Sequence, residues 1–177
     1  MPYGLEVIMN QVSQYLDQKG VAYHVLQHAP AFTAQQVAQA AHIHGVKLAK
    51  SVLVEADGIL MLVVIPACHH LILGALEHEL GLSHIDLATE QQLDKHFFQF
   101  QEGAAPPLSG LYGIPVYMAQ ILRDQDEIIF NAGRHDELIK MAMQDYMDLE
   151  KPLVVATATS PMGMTPPRMS HRVRRFI

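Results

Sequence analysis

Residues 51–55 and 59–65 are apolar, strand-like segments, and Ala56-Asp57-Gly58 separates them. An Asp-Gly pair between such segments is a strong signal for a β-hairpin, because both turn positions tolerate a positive φ. The second segment is apolar on both of its faces, which is typical of a strand in the middle of a sheet. The chain is therefore predicted to fold around a sheet that has this second strand in its interior.

Helical and strand patterns surround the hairpin. Apolar spacings of three and four predict an N-terminal helix over residues 5–19. Thr33 predicts the N-cap of a second helix, and Thr89 predicts that of a helix running to about Phe97. Further strands are predicted over residues 22–28, 84–87, 116–121, 127–131 and 137–141, with helices over 71–80 and 144–149. This mixture indicates an α+β fold, a single domain over residues 1–151 with a mixed, partly antiparallel sheet flanked by helices.

After Pro152 the periodicity dissolves, and residues 152–177 are predicted to form a basic, flexible tail. Four of the chain's 12 basic residues lie there, which leaves eight against 18 acidic residues, a charge of −10, on the body. A protein that coats nucleic-acid phosphates needs a broad basic surface, so the net charge of −6 argues against duplex binding. Recognition of a nucleic-acid end remains open. The tail arginines are Arg168, Arg172, Arg174 and Arg175.

Cysteine content and hydropathy indicate the cellular compartment in which the protein is expected. Cys68 is the single cysteine, which excludes an internal disulfide framework and any CxxC motif. The N-terminal residues lack the basic start and apolar stretch of a signal peptide. The longest apolar segment, residues 59–65, is far shorter than the ~20 residues of a membrane-spanning helix. We therefore expect a cytoplasmic protein with no membrane partner, while the oligomeric state is not predictable.

The chain has 11 histidines, which raises the question of a metal site. A zinc site takes three or four convergent ligands, commonly at spacings such as HExxH. The sequence offers His42-Ile43-His44, His69-His70 and Glu77-His78-Glu79, none of which has that spacing. We predict no metal and no cofactor, and keep metal-dependent hydrolysis through the histidines as one alternative.

No G-x-S-x-G, Walker A or dinucleotide-binding pattern occurs in the sequence. Two other features indicate a catalytic or binding site. Lys50 lies just before the first hairpin strand, where an ammonium group could bind a phosphate or a developing oxyanion. The second feature is Gly103-Ala104-Ala105-Pro106-Pro107, in a loop over residues 102–115 that is rich in glycine and proline. Glycine permits close approach of a substrate, and prolines hold the backbone still. A solvated lysine and a purely structural turn are the alternative interpretations.

Five motifs follow one another in a characteristic order, at residues 32–38, 49–54, 103–107, 113–117 and 130–135. Together they resemble the YbaK-like aminoacyl-tRNA deacylase family, the editing domain inserted in, or related to, some prolyl-tRNA synthetases. The resemblance extends from about residue 22 to residue 149. It implies the editing-domain fold and hydrolysis of the ester between a wrong amino acid and the 3′ end of tRNA.

The resemblance also implies roles for individual residues. The family's conserved lysine corresponds to Lys50, and its GxxxP loop supplies Gly103, Ala104 and Ala105 as the other catalytic positions. Its AGxH stretch corresponds to Ala132, Gly133 and His135. The substrate-binding positions are then Phe32, Thr33, Ser51, Pro106, Pro107, Gly133 and His135.

These features predict a trans-editing deacylase acting on a mischarged tRNA. An aminoacyl ester is already activated, so the protein must position a water molecule and stabilise the oxyanion, without a covalent nucleophile. Double-sieve logic favours a small misplaced amino acid of the Cys, Ala or Ser class. An aminoacyl-tRNA synthetase is a further candidate partner. The alternative is a module of the same fold that binds an aminoacyl or nucleotide end without cleaving it.

Overall fold

A computed structural model describes residues 3–156 and 158–163, with the side chains of residues 3–10 and of Ala34 left out. The helices are α1 (Tyr3–Gln18), α2 (Ala34–Ala40), α3 (Leu73–Leu80), α4 (Glu90–Phe97), α5 (Gln120–Arg123) and α6 (Met143–Glu150). The strands are β1 (His24–Gln27), β2 (Leu48–Ala56), β3 (Ile59–Pro66), β4 (His69–Leu71), β5 (Ile85–Leu87), β6 (Val116–Ala119), β7 (Glu127–Asn131), β8 (Glu137–Ala142), β9 (Leu153–Val155) and β10 (Thr159–Pro161).

The predicted hairpin forms the centre of an eight-stranded mixed sheet. Its strand order is β1-β8-β7-β2-β3-β6-β9, and β5 pairs with β2 in addition. Strand β3 pairs antiparallel with β2 and parallel with β6, so it is an interior strand as predicted. The turn residues Asp57 and Gly58 have φ values of 49° and 84°, the positive values that a two-residue hairpin turn requires.

Alternate residues of β3 belong to different hydrophobic cores, because successive side chains of a strand point to opposite faces. Leu62 and Val64 pack in the core that contains the inner sides of α1 and α6. Val63 and Ile65 pack on the other face with α3. The sheet is thus covered by helices on both faces, and the α+β prediction is confirmed. Within the described residues, no helix is long and apolar enough to cross a membrane.

The two threonine caps are also confirmed. The hydroxyl oxygens of Thr33 and Thr89 accept hydrogen bonds from the backbone N–H groups of Gln36 and Gln92, at 3.1 and 3.3 Å. Each glutamine side chain in turn accepts a bond from the backbone N–H of its threonine. These reciprocal bonds satisfy amide groups that a helix start leaves free.

Some element boundaries differ from the predictions. Lys50 lies inside β2 and not before it, and the strand expected over 116–121 gives way to α5 after Ala119. The loop expected over 102–115 contains one 3₁₀ turn, Ser109–Leu111. Such short elements form because tertiary contacts select them, and periodicity over three or four residues cannot predict them.

Strands β9 and β10 lie in the segment for which the sequence predicts a tail. Leu153 to Val155 extend the main sheet by pairing parallel with β6, and β10 pairs antiparallel with β4. Each strand has only three residues, too few for an apolar pattern to be recognised in the sequence. The four tail arginines lie outside the described residues, so their flexibility remains a prediction.

Candidate functional site

Strand β2 changes its neighbour where the candidate site lies. One of its edges is paired with β3 along almost its full length. The other edge is paired with β7 at Leu48 and Ala49, and with β5 from Val54 onwards. In the part of the chain that the structure describes, residues 50–52 have no paired strand residue on this edge. Strands β7 and β5 end their pairing with β2 on either side of Lys50 and Ser51, which leaves an opening in the sheet there.

The glycine–proline loop closes over this opening. The hydroxyl of Ser51 donates a hydrogen bond of 3.1 Å to the carbonyl oxygen of Ala105. Gly103 has a φ of 78°, and the carbonyl oxygen of Phe32 lies 4.0 Å from the position that a Cβ on Gly103 would occupy. The structure therefore brings together the N-terminal approach to α2, strand β2 and the loop.

His135 and Gly133 join the same site through a residue that the sequence did not reveal, Gln101. The side-chain oxygen of Gln101 accepts a hydrogen bond of 2.8 Å from the backbone N–H of His135. Its backbone N–H donates to the carbonyl oxygen of Gly133, at 3.0 Å. The ring of His135 lies 5.0 Å from that of Phe32, centroid to centroid. Phe32 is 71% exposed, so this aromatic pair is available to a ligand.

Only part of the loop backbone is free to donate hydrogen bonds. The N–H of Ala104 already donates to the carbonyl oxygen of Gln101, at 2.9 Å. Among residues 3–156 and 158–163, the N–H groups of Gly103 and Ala105 have no hydrogen-bond partner. Two of the three loop N–H groups therefore lack a partner among these residues, while that of Ala104 closes a turn, and the catalytic role of the three residues stays a prediction.

The prolines of the loop are anchored from behind. Pro106 and Pro107 are buried. The hydroxyl of Tyr112 donates to the carbonyl oxygen of Pro106 at 2.7 Å, and that of Tyr146 donates to the carbonyl oxygen of Pro107 at 2.6 Å. Tyr146 is fully buried, and burial raises the pKa of its hydroxyl well above the usual value, which keeps it a hydrogen-bond donor. The two prolines therefore hold the loop in position, and their contact with a substrate stays a prediction.

Lys50 is half-buried and lies on the opposite face of β2 from Ser51, because neighbouring strand residues alternate. Burial lowers the pKa of its ammonium group, and the groups that interact with it electrostatically are Cys68 and His69. Within the described ranges it forms no hydrogen bond and no salt bridge. No hydrogen bond joins it to the loop either. A half-buried cation without a counter-ion favours the binding of an anion.

Asn131 is a second residue that sequence analysis did not single out. Its side chain is 8% exposed, and its Oδ1 has no hydrogen-bond partner among the described residues. Strands β2 and β7 pair in parallel with Leu48 opposite Ile129 and Ala49 opposite Phe130. The next step in this register places Asn131 beside Lys50 on the same face. Buried amides are normally satisfied, so this oxygen is an acceptor that a ligand or a water molecule would satisfy.

The histidines within the described residues form no cluster of this kind. Across the described ranges, no group of three or more His, Cys, Asp or Glu side chains could hold a metal ion. His69 interacts with Thr159, at 3.1 Å, and His84 interacts with Asp86, at 2.6 Å. The metal-dependent alternative therefore has no candidate ligand set within these residues.

A substitution at Gly103 tests the loop. Gly103→Ala should leave space for the methyl group, but it places a side chain at a φ of 78°, which costs about 1–2 kcal/mol unless the loop moves. We expect loop movement, and a loss of substrate hydrolysis of roughly a hundredfold if the loop N–H groups stabilise the oxyanion. Steady-state hydrolysis and thermal unfolding are the measurements.

The matched control is Gly81→Ala. Gly81 has a φ of 66°, with no atom within 4 Å of the added Cβ, and it lies at the end of α3. Both variants should lose similar stability, and only Gly103→Ala should lose activity. Equal activity in the two variants would contradict a catalytic role for the loop.

The chain is similar to a known protein family and to several solved structures. The pattern of the aminoacyl-tRNA editing domain family matches residues 28–149. No curated protein matches the chain. Among solved structures, a candidate trans-editing enzyme for prolyl tRNA synthetase is 20% identical, with a TM-score of 0.74 over 84% of this chain and 95% of that one. The hypothetical protein APE2540 is 18% identical, with a TM-score of 0.70 over 84% and 99%.

Structural likeness at these identities establishes the fold alone. The family match is stronger evidence, because it covers more than two thirds of the chain and contains all five motifs and the residues that form the opening. The resemblance predicted from the motifs is therefore confirmed, and the chain belongs to the aminoacyl-tRNA editing domain family.

Proposed function

We propose that this protein is a trans-editing deacylase, which hydrolyses the ester between a wrong amino acid and the 3′ end of tRNA. Membership of the editing-domain family supports this function. The observation that carries it is the opening at β2, which has one kind of group on each face of the strand. Lys50 supplies a half-buried cation without a counter-ion, and the loop supplies the unpaired N–H groups of Gly103 and Ala105.

This inventory fits the chemistry of an aminoacyl ester. A water molecule adds to the carbonyl carbon, the ester C–O bond breaks, and the ribose hydroxyl re-forms with the proton that the water loses. The N–H groups of Gly103 and Ala105 are suited to the oxygen that becomes negative. Lys50 is suited to the terminal phosphate or to the same oxyanion. The side-chain oxygen of Asn131 is an acceptor suited to the substrate's α-ammonium group or to the attacking water.

Phe32 and His135 have a positioning role in this proposal. Their rings pack together at the rim of the opening, and Phe32 is 71% exposed. The Thr33 hydroxyl caps α2, which fixes the direction in which the chain brings Phe32 to Gly103. We place neither Phe32 nor His135 in the proton transfer, because the ribose hydroxyl and the water can exchange the proton directly.

The proposed substrate carries a small amino acid of the Cys, Ala or Ser class. Synthetases discriminate poorly between similar small side chains, so such errors need a second site for their removal. The proposed macromolecular partner is the mischarged tRNA, with an aminoacyl-tRNA synthetase as a further candidate.

A deacylation screen tests this proposal. Purified protein is mixed with a panel of tRNAs charged with a wrong small amino acid, and loss of the aminoacyl group is followed over time. We expect hydrolysis of at least one such ester well above the spontaneous rate, and no effect on the correctly charged tRNA. Binding of these tRNAs without turnover of any aminoacyl group would instead favour the non-catalytic module.

A further inference from the structure

A pocket with a volume of 440 Å³ lies between helix α4 and the glycine–proline loop. Gly103 and Ala105 form part of its wall, so it is continuous with the candidate site. The opposite wall is a single face of α4 and its C-cap, whose residues follow helical spacings: Glu90, Leu93, Asp94, Phe97 and Phe98.

Helix α4 contacts the core through Phe97, but other apolar side chains on the same side of the helix and its C-cap line this pocket. An amphipathic helix normally buries its apolar stripe against the protein. None of the α4 residues is buried. The ring of Phe98, directly after the helix, is 78% exposed, and Leu93 is 36% exposed. These exposed apolar side chains gather beside the loop, which indicates a binding surface for an apolar, flat group.

The pocket and the loop share one support. The ring of Phe97 packs edge-on against that of Tyr112, with centroids 4.9 Å apart. The hydroxyl of Tyr112 holds the carbonyl oxygen of Pro106, at 2.7 Å. A group bound against α4 is therefore held at a fixed position relative to the unpaired N–H groups of the loop.

The charges in the pocket select the kind of group. Glu90, Asp94 and Glu102 line it, and no lysine or arginine does. Three carboxylates repel a phosphate, but their oxygens accept hydrogen bonds from an exocyclic amino group such as that of adenine or cytosine. An aromatic wall with carboxylate acceptors therefore suits a nucleobase with an amino group. The phosphates are expected on the other side of the loop, towards Lys50.

We infer that this pocket binds the terminal adenine of the substrate tRNA, stacked on Phe98 with its amino group donating to the pocket carboxylates. The inference rests on the proposed function, since it requires the aminoacyl ester to lie at Gly103. The terminal base and the aminoacyl group are carried by the same ribose, so the two must bind in adjoining sites. The pocket adjoins the loop in this way.

The test measures binding without hydrolysis. The ligand is an uncharged RNA hairpin copy of an acceptor stem that ends in unpaired C-C-A, and fluorescence anisotropy gives its Kd. A second hairpin ends in uracil in place of adenine. We expect this exchange to weaken binding to the wild-type protein about tenfold, because uracil has no amino group for the carboxylates and a smaller ring to stack on Phe98. In Phe98→Ala the exchange should have a much smaller effect, because the ring that holds the base against the carboxylates is gone.

Two matched variants serve as controls. Leu153→Ala removes an exposed apolar side chain from β9, a strand at the far edge of the sheet, and should retain the tenfold preference for adenine. Asp94→Asn and Asp124→Asn remove the same charge, and Asp124 is on the surface after α5. Both should strengthen binding of the RNA slightly, but only Asp94→Asn should reduce the preference for adenine.

The inference is overturned if the exchange of the base weakens binding equally in the wild type and in Phe98→Ala. It is also overturned if Phe98→Ala keeps the base preference and changes which aminoacyl group is hydrolysed fastest, since the pocket would then hold the amino acid. These outcomes leave the deacylase function intact. Conversely, adenine-specific binding without hydrolysis of any mischarged tRNA would contradict the proposed deacylase function. It would still support the inference that this pocket binds adenine.

Discussion

Replacement of Lys50 by methionine is expected to reduce deacylation by a hundredfold or more and to leave the protein at least as stable as the wild type. The activity falls because a cation facing developing negative charge typically contributes two to three orders of magnitude in rate, on the order of 3 kcal/mol. Stability is retained because Lys50 is a half-buried ammonium group that lacks a counter-ion among the described residues. Methionine has a similar length and no charge to desolvate.

The measurements are single-turnover hydrolysis of a mischarged tRNA and thermal unfolding. Lys47→Met is the matched control, because Lys47 lies just before β2 and its ammonium group binds Asp126 at 2.8 Å and Glu127 at 3.2 Å. We expect that control to keep its activity and to lose a little stability. Lys50→Met with wild-type activity would show that Lys50 takes no part in the reaction. A much lower Tm for Lys50→Met would contradict the conclusion that the Lys50 ammonium group is desolvated and lacks a counter-ion.

The pH dependence of the free energy of unfolding is a second test of the desolvated state of Lys50. Burial lowers the pKa of Lys50 in the folded protein relative to the unfolded chain. Between these two pKa values the unfolded chain binds more protons, so this group makes the free energy of unfolding rise with pH. The destabilising effect is fully present below the folded pKa and absent above the unfolded one. The difference in stability between wild type and Lys50→Met should therefore shrink as the pH rises through this window.

Local features of the sequence predicted most of the fold. The Asp57-Gly58 turn and the Thr33 and Thr89 caps depend on residues within a few positions of one another, and all three are confirmed. Lys50 and the loop were located by residue type and by resemblance to a family. Such signals survive in a single sequence because each is complete within one short segment.

The chemistry of the site depends on pairs that are distant in the sequence, and those were not predictable. Only the parallel register of β7 against β2 places Asn131 next to Lys50. The hydrogen bond between Tyr146 and Pro107 joins residues 39 positions apart. Engagement of the Ala104 N–H depends on how the chain turns after Gln101. The sequence could therefore name the loop, but not which of its groups are free to act.

A methyl group at Gly110 is expected to destabilise the protein by about 2–4 kcal/mol, although Gly110 does not have a positive φ. The added Cβ would lie 2.7 Å from the ring carbon Cζ of Tyr15 and closer still to its hydroxyl oxygen. Tyr15 must then move away from Glu150, which accepts its hydroxyl hydrogen bond at 2.8 Å. Overpacking of this kind costs about 1–3 kcal/mol, and the lost bond to a buried carboxylate adds to it.

Glu150 makes this contact important for the site as well. It is 8% exposed and also accepts hydrogen bonds from the Ser109 hydroxyl, at 2.5 Å, and from the Gly110 N–H, at 3.3 Å. This carboxylate thereby ties α1 and α6 to the end of the glycine–proline loop. We expect Gly110→Ala to lower the Tm by about 5–10 °C and to reduce hydrolysis through displacement of the loop.

A double-mutant cycle separates the clash from other effects of the methyl group. In a Tyr15→Ala background the space beside Gly110 is empty, so the additional change Gly110→Ala should cost almost nothing in the free energy of unfolding. A coupling of about 2 kcal/mol or more between the two positions is expected from urea unfolding. If Gly110→Ala costs the same with and without Tyr15, the close approach of α1 to the loop does not determine stability there.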